Sequence, residues 1–436
     1  MNVNQLEEQI VKKVSIHLIP FLFLCFSISI LDRVNIGFAA LQMNKELGFS
    51  SGVYGLGAGI FFIGYFLLEV PGGAIMTKVG ASKWICRIMV SWGIVSFFMI
   101  FIKTPMQFYI VRFLLGMAEA SFFPCMAWYL SNFYQAKNHA KAIAGFMIAI
   151  PAASAIGSPI SSFLLTISWH GISGWQWLFI VESIPSIIIG IISYFYLDDS
   201  IEKVKWLNDK ERKWLIDVTA KEKLEKERKK HYTFMQALGD RDVLVLSLGY
   251  FCWIFGYYGI VMFLPTISSS LSSKISIQSI GLIVGLMYFV AMITMYMVGR
   301  HSDKTNERRI HVAICLLVSA VSLIASIYCT KINITTSFIF LTISLSGAYG
   351  AYSPFWAIPP SYITGPAAAG AIALINSIGN LGGFFGPYAV GYIRKVTGSY
   401  NVSMWLLAVS MIISAFIVAF IIKQSGKAQH IEEKVD

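Results

Sequence analysis

Six ionisable residues stand inside long apolar runs of this chain. Asp32 and Arg33 sit side by side in "SILDRVNIGF", Glu69 in "LLEVPGG", Arg112 and Glu119 in "RFLLGMAEAS", and Glu182 in "FIVESIP". An ionised side chain within a lipid-embedded segment costs several kcal/mol, so such residues mark binding or proton-handling chemistry unless they form a structural lattice. A guanidinium facing a cavity presents two parallel N–H donors that match a carboxylate. Neighbours on an α-helix diverge by about 100°, so Asp32 and Arg33 cannot aim at one point. The expectation is that Asp32 turns to the helix carrying Arg112 and pairs with it, leaving Arg33 free to hold an anion in a central cavity. Glu119 lies seven residues after Arg112, which returns it to the same face about 10 Å deeper. There, among small residues, it can cycle between protonated and charged forms. Tyr65 falls at a similar depth. Glu69 and Glu182 lie near the ends of their runs, where a carboxylate reaches water or a loop, and read as structural.

Composition says what must position these residues. Of 436 residues, 56% are hydrophobic and 13% charged, about half the charged share of a soluble domain. Twelve runs are long enough to cross about 30 Å of hydrocarbon: residues 16–38, 51–76, 83–102, 106–130, 140–167, 175–197, 243–267, 277–299, 309–329, 334–357, 367–394 and 401–423. None alternates as the strand of a β-barrel would. The fold class is therefore an all-α integral membrane protein of 12 transmembrane helices in two six-helix bundles, residues 1–197 and 243–436, the second ending in a short cytoplasmic tail. Residues 198–242 interleave acids and bases and read as a solvated cytoplasmic linker helix.

The basic residues explain the net charge of +11 as an orientation signal, not a nucleic-acid surface. Lys12, Lys13, Lys78, Lys83, Arg87, Arg300, Lys304, Arg308 and Arg309 fall on one side, which puts both termini in the cytoplasm. The six cysteines have no CxxC spacing and read as core residues, so no disulfide or metal site is expected. No GxxxxGK[ST] loop and no nucleophile–base–acid cluster is present, so neither ATP nor an enzymatic cofactor is expected; a proton is the natural coupling ion.

The halves echo each other. "GGAIMTKVGASKW" (72–84) and "GRHSDKTNERR" (299–309) each follow the second helix of a half, which points to duplication. Deep polar residues of the second half are neutral: Tyr257, Tyr258, Ser353, Trp356, Asn376 and Asn380. Asn376 and Asn380 are four apart and share a face, so both can offer amides to a solute, although the neighbouring glycines equally suit close helix packing.

Five stretches carry a resemblance: "LDRVNIGFAALQMNKELG", "GAGIFFIGYFLLEVPGG", "RFLLGMAEASFFPCMAWYLSNFY", "GWQWLFIVESIP" and "ALINSIGNLGGFFGPYAVG". On these the chain resembles the major facilitator superfamily and, within it, the anion:cation symporter family, especially its bacterial tartrate-type and sugar-acid permeases. The resemblance implies alternating access, proton sites at Asp32 and Glu119, and substrate contacts at Arg33 and Tyr65. It also implies a conformational latch in the two repeated loops, at Lys78 and at Asp303 with Arg308. The family usually has Asp where this chain has Thr77. The expected protein imports a small hydroxylated organic anion with protons across a bacterial inner membrane and works as a monomer in lipid. A facilitator or antiporter of a neutral solute is the alternative, and it would not need Arg33 beside Asp32.

Overall fold

The computed structural model describes residues 3–227, 240–272, 274–359 and 366–421. Apolar runs in lipid must satisfy every backbone N–H and C=O internally, and helices do so. In the first half the helices are α1 (Val3–Glu46), α2 (Ser51–Val79), α3 (Ala81–Phe97), α4 (Pro105–Glu119), α5 (Phe122–Phe133), α6 (Ala136–Met147), α7 (Ala149–Leu164) and α8 (Gly174–Tyr196). A connecting α9 (Asp209–Glu227) follows. The second half holds α10 (Arg241–Leu271), α11 (Ile277–Thr305), α12 (Arg309–Cys329), α13 (Ile334–Gly350), α14 (Tyr352–Trp356), α15 (Pro366–Thr397) and α16 (Asn401–Phe416). Among the described residues the only β pairing is an isolated bridge between Trp169 and Ile172.

Eleven helical stretches are long and apolar enough to cross a membrane among the described residues. With the 32-residue α15 they follow the expected order of twelve. Three expected spans are not single helices: α4–α5, α6–α7 and α13–α14 each share one. The break between α4 and α5 bears on the chemistry. Thr104 and Gln107 form a capping box that starts α4, with Pro105 in its first turn. Ala120 is extended (ψ 143°) and Ser121 is left-handed (φ 67°). Ser121 stays there because its hydroxyl donates to the Ala120 carbonyl at 2.5 Å and accepts from Trp84 Nε1 at 3.2 Å. Glu119 is thereby the last residue of α4.

Within the first half α3 packs on α8, α2 on α4, and α1 on α7 and α8; within the second, α10 packs on α15 and α16, and α12 on α13 and α16. Three helix pairs join the halves: α2 with α15, α7 with α11, and α1 with α10. The α2–α15 seam is tightest on the face away from the start of α1. A Cβ on Gly55 would stand 2.5 Å from the Pro387 carbonyl oxygen and 2.8 Å from the Gly391 Cα, so two backbones touch where no side chain fits.

The connection is less solvated than its composition suggests. Lys13 Nζ pairs with Glu211 at 2.6 Å, the His17 ring stacks on Trp206 at 4.6 Å, and Val204, Leu207 and Leu215 are buried. Apolar residues spaced among the charges dock this segment on the first half. Residues 228–239, also within the expected linker, lie outside the described residues.

Candidate functional site between the two halves

The site begins with the two faces of α1. Ser29 and Arg33, four apart, point to α4; Asp32 and Asn35, three apart, point to α3, α7 and α8. Ser29 donates its hydroxyl to Glu119 Oε1 at 2.7 Å, and Arg33 Nη2 forms an ion pair with the same oxygen. Arg33 Nη1 donates to the Tyr258 hydroxyl at 3.1 Å, and its guanidinium lies 5.4 Å from the ring centres of both Phe61 and Tyr65. Glu119 and Tyr65 are buried, and Arg33 is partly open. The expected lone guanidinium is thus a paired one.

Asp32 does not pair with Arg112. It accepts from Trp92 Nε1 at 2.5 Å, the Ser186 hydroxyl at 3.1 Å and the Ser96 hydroxyl at 3.4 Å. The same 100° divergence explains the correction: with Arg33 aimed at Glu119 on α4, Asp32 must face elsewhere. Arg112 is fully buried, donates Nε to the Gly57 carbonyl at 3.3 Å and lies 5.0 Å from the centre of the Phe61 ring. Its Nη1 and Nη2 have no hydrogen-bond partner among the described residues.

A cavity of about 760 Å³, counted to its open mouth, lies between the halves. Arg33, Glu119 and Tyr65 line it from the first half; Asn376, Asn380, Tyr250, Tyr257, Tyr258, Tyr352 and Trp356 line it from the second. Its lining, mostly aromatic with a few convergent polar groups, is of the kind that holds a small solute. Tyr257 donates to the Tyr349 hydroxyl at 2.9 Å, which fixes the ring in the wall. Of the two asparagines, Asn376 also donates Nδ2 to Glu69 Oε1 at 2.6 Å.

Glu69 and Glu182 are not at helix ends. Helix α2 continues to Val79, and Glu69 is 6% exposed. Glu182 is buried in α8, where it accepts from Asn35 Nδ2 and from the Ser161 hydroxyl at 3.0 Å, tying α8 to α1 and α7. In the loops, Asp303 pairs with Arg308 at 2.5 Å, while Arg308 also donates to the Ser302 hydroxyl at 3.0 Å. The first-half counterpart differs. Thr77 bonds back to the Ala74 carbonyl and Lys78 is exposed. An acid from the end of the half stands in: Asp199 accepts from the Ser82 amide at 2.7 Å and its hydroxyl at 2.8 Å, beside the positive-φ turn at Gly80.

Several site residues carried little sequence signal. Ser29, Trp92 and Ser186 are ordinary core types, and the tyrosines of the second half resemble interface residues in any span. The one available pointer was the spacing of Ser29 and Arg33, i and i+4 on one helix face.

The model of the Major Facilitator Superfamily matches residues 22–387 and 246–435. The chain is 43% identical over 427 residues to a putative tartrate transporter of Agrobacterium vitis, covering 98% of this chain and 94% of that protein. It is 34% identical to a quinolone resistance transporter of Acinetobacter baumannii over 93% of each chain. Among solved structures, the inward-open xylose transporter XylE of E. coli superposes with a TM-score of 0.73 at 14% identity, covering 95% of this chain and 98% of that one. A bacterial homologue of the human lysosomal transporter Spinster, inward-facing, gives 0.71 at 16% identity over 92% and 94%. Helix order, the cavity between duplicated halves and these likenesses agree: the chain belongs to the Major Facilitator Superfamily and is a membrane transporter, not an enzyme.

Proposed function

We propose that the chain is a proton-coupled symporter of the anion:cation type that imports a small hydroxylated organic anion, tartrate-like, across a bacterial inner membrane. Both termini then lie in the cytoplasm, lipid surrounds a monomer, and the face where α1 begins is the cytoplasmic face. The observation that carries this reading is the Arg33–Glu119 ion pair in the wall of the inter-half cavity.

A solute carboxylate and Glu119 compete for one guanidinium. When Glu119 is ionised, Arg33 is engaged; when Glu119 takes a proton, its attraction for Arg33 falls and both Nη groups can turn to the solute. Proton and anion binding are therefore positively linked, and the linkage is reciprocal. Tyr65 stacks beside the guanidinium, while Tyr258, Asn376 and Asn380 offer neutral hydrogen bonds to hydroxyl groups. Asp32, buried among three hydroxyl and indole donors, is the second proton site. Rocking of the halves about the cavity moves the loaded site across the membrane, with the Asp303–Arg308 loop, and Lys78 in its counterpart, steadying the helix ends.

Proteoliposomes with an inward proton gradient test the reading. Tartrate accumulates with wild type and stops accumulating when the gradient is dissipated. Uptake of equal rate and extent with no gradient overturns proton coupling, and a preference for uncharged sugars overturns the anion.

A further inference from the structure

Glu182 is buried within α8, and neither of the proton sites proposed above gives it a task. Its Oε2 accepts from Asn35 Nδ2 and its Oε1 from the Ser161 hydroxyl at 3.0 Å. No cation pairs with it among the described residues. Three residues before Asn35 on α1, Asp32 accepts at 3.1 Å from Ser186, which lies four residues past Glu182 on α8. Asp32 and Glu182 are thus adjacent rungs between two antiparallel helices, about one turn, or 5 Å, apart along the axis.

Little else that is ionisable faces Glu182. On α1, Arg33 is turned to Glu119, and Glu46 meets Trp175 near the start of α8. Neither α7 nor the turn Phe98–Phe101 carries an ionisable residue. On α3, Gly93 packs on Ser183 and Ile187, and Met89 and Val90 pack on Gly190. Lys83, Cys86 and Arg87 therefore lie beyond Gly190, about 12 Å or more along α8 from Glu182. Tyr194 and Tyr196 stand at that same end of α8.

The partners of Glu182 suit a group that changes its charge. Trp92 Nε1, which holds Asp32, can only donate and so favours an ionised acceptor. An amide and a hydroxyl can donate or accept. With Glu182 ionised, Asn35 Nδ2 donates to it; with Glu182 protonated, the amide turned over presents Oδ1 to the new O–H. That Oδ1 is buried and has no hydrogen-bond partner among the described residues, so it is spare for the second state. A small recess lined by Asn35, Ser154, Ser158 and Ser161 borders both partners, and its polar wall can seat a water that carries the proton. Ser158 also stands in the α7–α11 seam, where a Cβ on Gly281 would lie 2.8 Å from its carbonyl oxygen. Movement of the halves therefore alters one wall of the recess.

Resting on the proton-coupled reading above, we propose that Glu182 is a third proton-binding site of the transport cycle, coupled to Asp32 across the α1–α8 contact. Two carboxylates one turn apart in a dry contact, with no cation hydrogen-bonded to either, resist being ionised together. The pair therefore takes up and releases its protons in sequence. The proton passes from water in the recess to a Glu182 oxygen, and Asn35 turns its carbonyl to accept the O–H. Neither Glu182 nor Asn35 lines the solute cavity, so the site moves protons without touching the solute.

Two readouts test it. Infrared difference spectra between about pH 5 and pH 9, taken on purified solute-free protein, show a carboxylic-acid C=O band that is missing in Glu182→Gln. Identical acid bands in wild type and Glu182→Gln overturn the site. Ser161→Ala removes one partner and displaces the same band, which keeps the assignment open to disproof if Glu182→Gln does not fold; an unmoved band overturns it. The second readout is tartrate accumulation in proteoliposomes under a pH gradient of about one unit with the membrane potential clamped at zero. Each coupled proton contributes about tenfold per pH unit, so the accumulation ratio of Glu182→Gln falls at least about tenfold. A ratio equal to that of wild type overturns the third proton. If wild type does not accumulate tartrate, the symport reading fails while the infrared arms still decide whether Glu182 binds a proton.

Discussion

In the first half, Asp32, Glu69, Arg112, Glu119 and Glu182 are buried within membrane-spanning helices; in the second, no charged side chain is buried among the described residues. The second half instead brings tyrosines, asparagines and a tryptophan to the shared cavity. The two halves thus differ in chemistry while sharing a helix-packing pattern. The ion pair of Arg33 with Glu119 lies within one half. The described hydrogen bonds that cross between the halves each have a neutral partner: Tyr258, Asn376 or the Met262 carbonyl. The division has a physical reason. An ion pair desolvated across the interface is costly to break, whereas an ion–neutral or neutral hydrogen bond contributes only about 1–3 kcal/mol.

The comparison is broken most directly at Arg33. Arg33→Lys keeps the charge but loses the fork, and tartrate affinity measured by calorimetry should fall about 100-fold, or about 3 kcal/mol. Affinity within a few-fold of wild type would show that the second half holds the anion instead. Next in size is Glu119→Gln, which leaves Arg33 without an ionised rival. Tartrate counterflow should persist while accumulation driven by a proton gradient disappears. If proton and anion binding are linked as proposed, wild-type affinity should fall as pH rises, by up to about tenfold per unit for one linked proton. In Glu119→Gln that dependence should flatten, and an unchanged slope would move the linked proton to another group.

Asp32→Asn sharpens the contrast between the two faces of α1. Because Asp32 is held by Trp92, Ser96 and Ser186 and not by Arg112, the amide leaves no cation stranded, and its carbonyl oxygen still accepts from Trp92. Expression and melting temperature should stay close to wild type while proton-driven accumulation drops. A collapse in folding would point to a charge partner after all. Tyr258→Phe removes one neutral acceptor from Arg33 and should weaken tartrate binding only a few-fold, about 1 kcal/mol, as judged from uptake KM. The smallest effect belongs to Asp303→Asn: its pair with Arg308 is largely exposed, so turnover should change by a few-fold at most and affinity not at all. A large loss there would raise the loops above the cavity as the rate-limiting element.

The residues of the candidate site were legible to different degrees. Asp32, Arg33, Arg112 and Glu119 stand out in any apolar run, because a charge in lipid is conspicuous against its neighbours. Asn376 and Glu69 are 307 residues apart, and nothing local in either stretch announces the other. Nor did Thr77, where an acid was expected, reveal that Asp199 would cap the same loop from the end of the half.

The sequence by itself determined that the chain is a membrane transporter of twelve helices, in what order they come, and which charges lie in the spans. Hydropathy is a local property and the bilayer sets a minimum length, so both can be counted along the chain. Only the tertiary structure decided which partner each charge takes. A helix turned by a fraction of a turn exchanges Arg112 for Trp92 opposite Asp32, and the break at Ala120–Ser121 sets where Glu119 ends. Those rotations and breaks follow from the packing of residues distant in the chain, which no local pattern records.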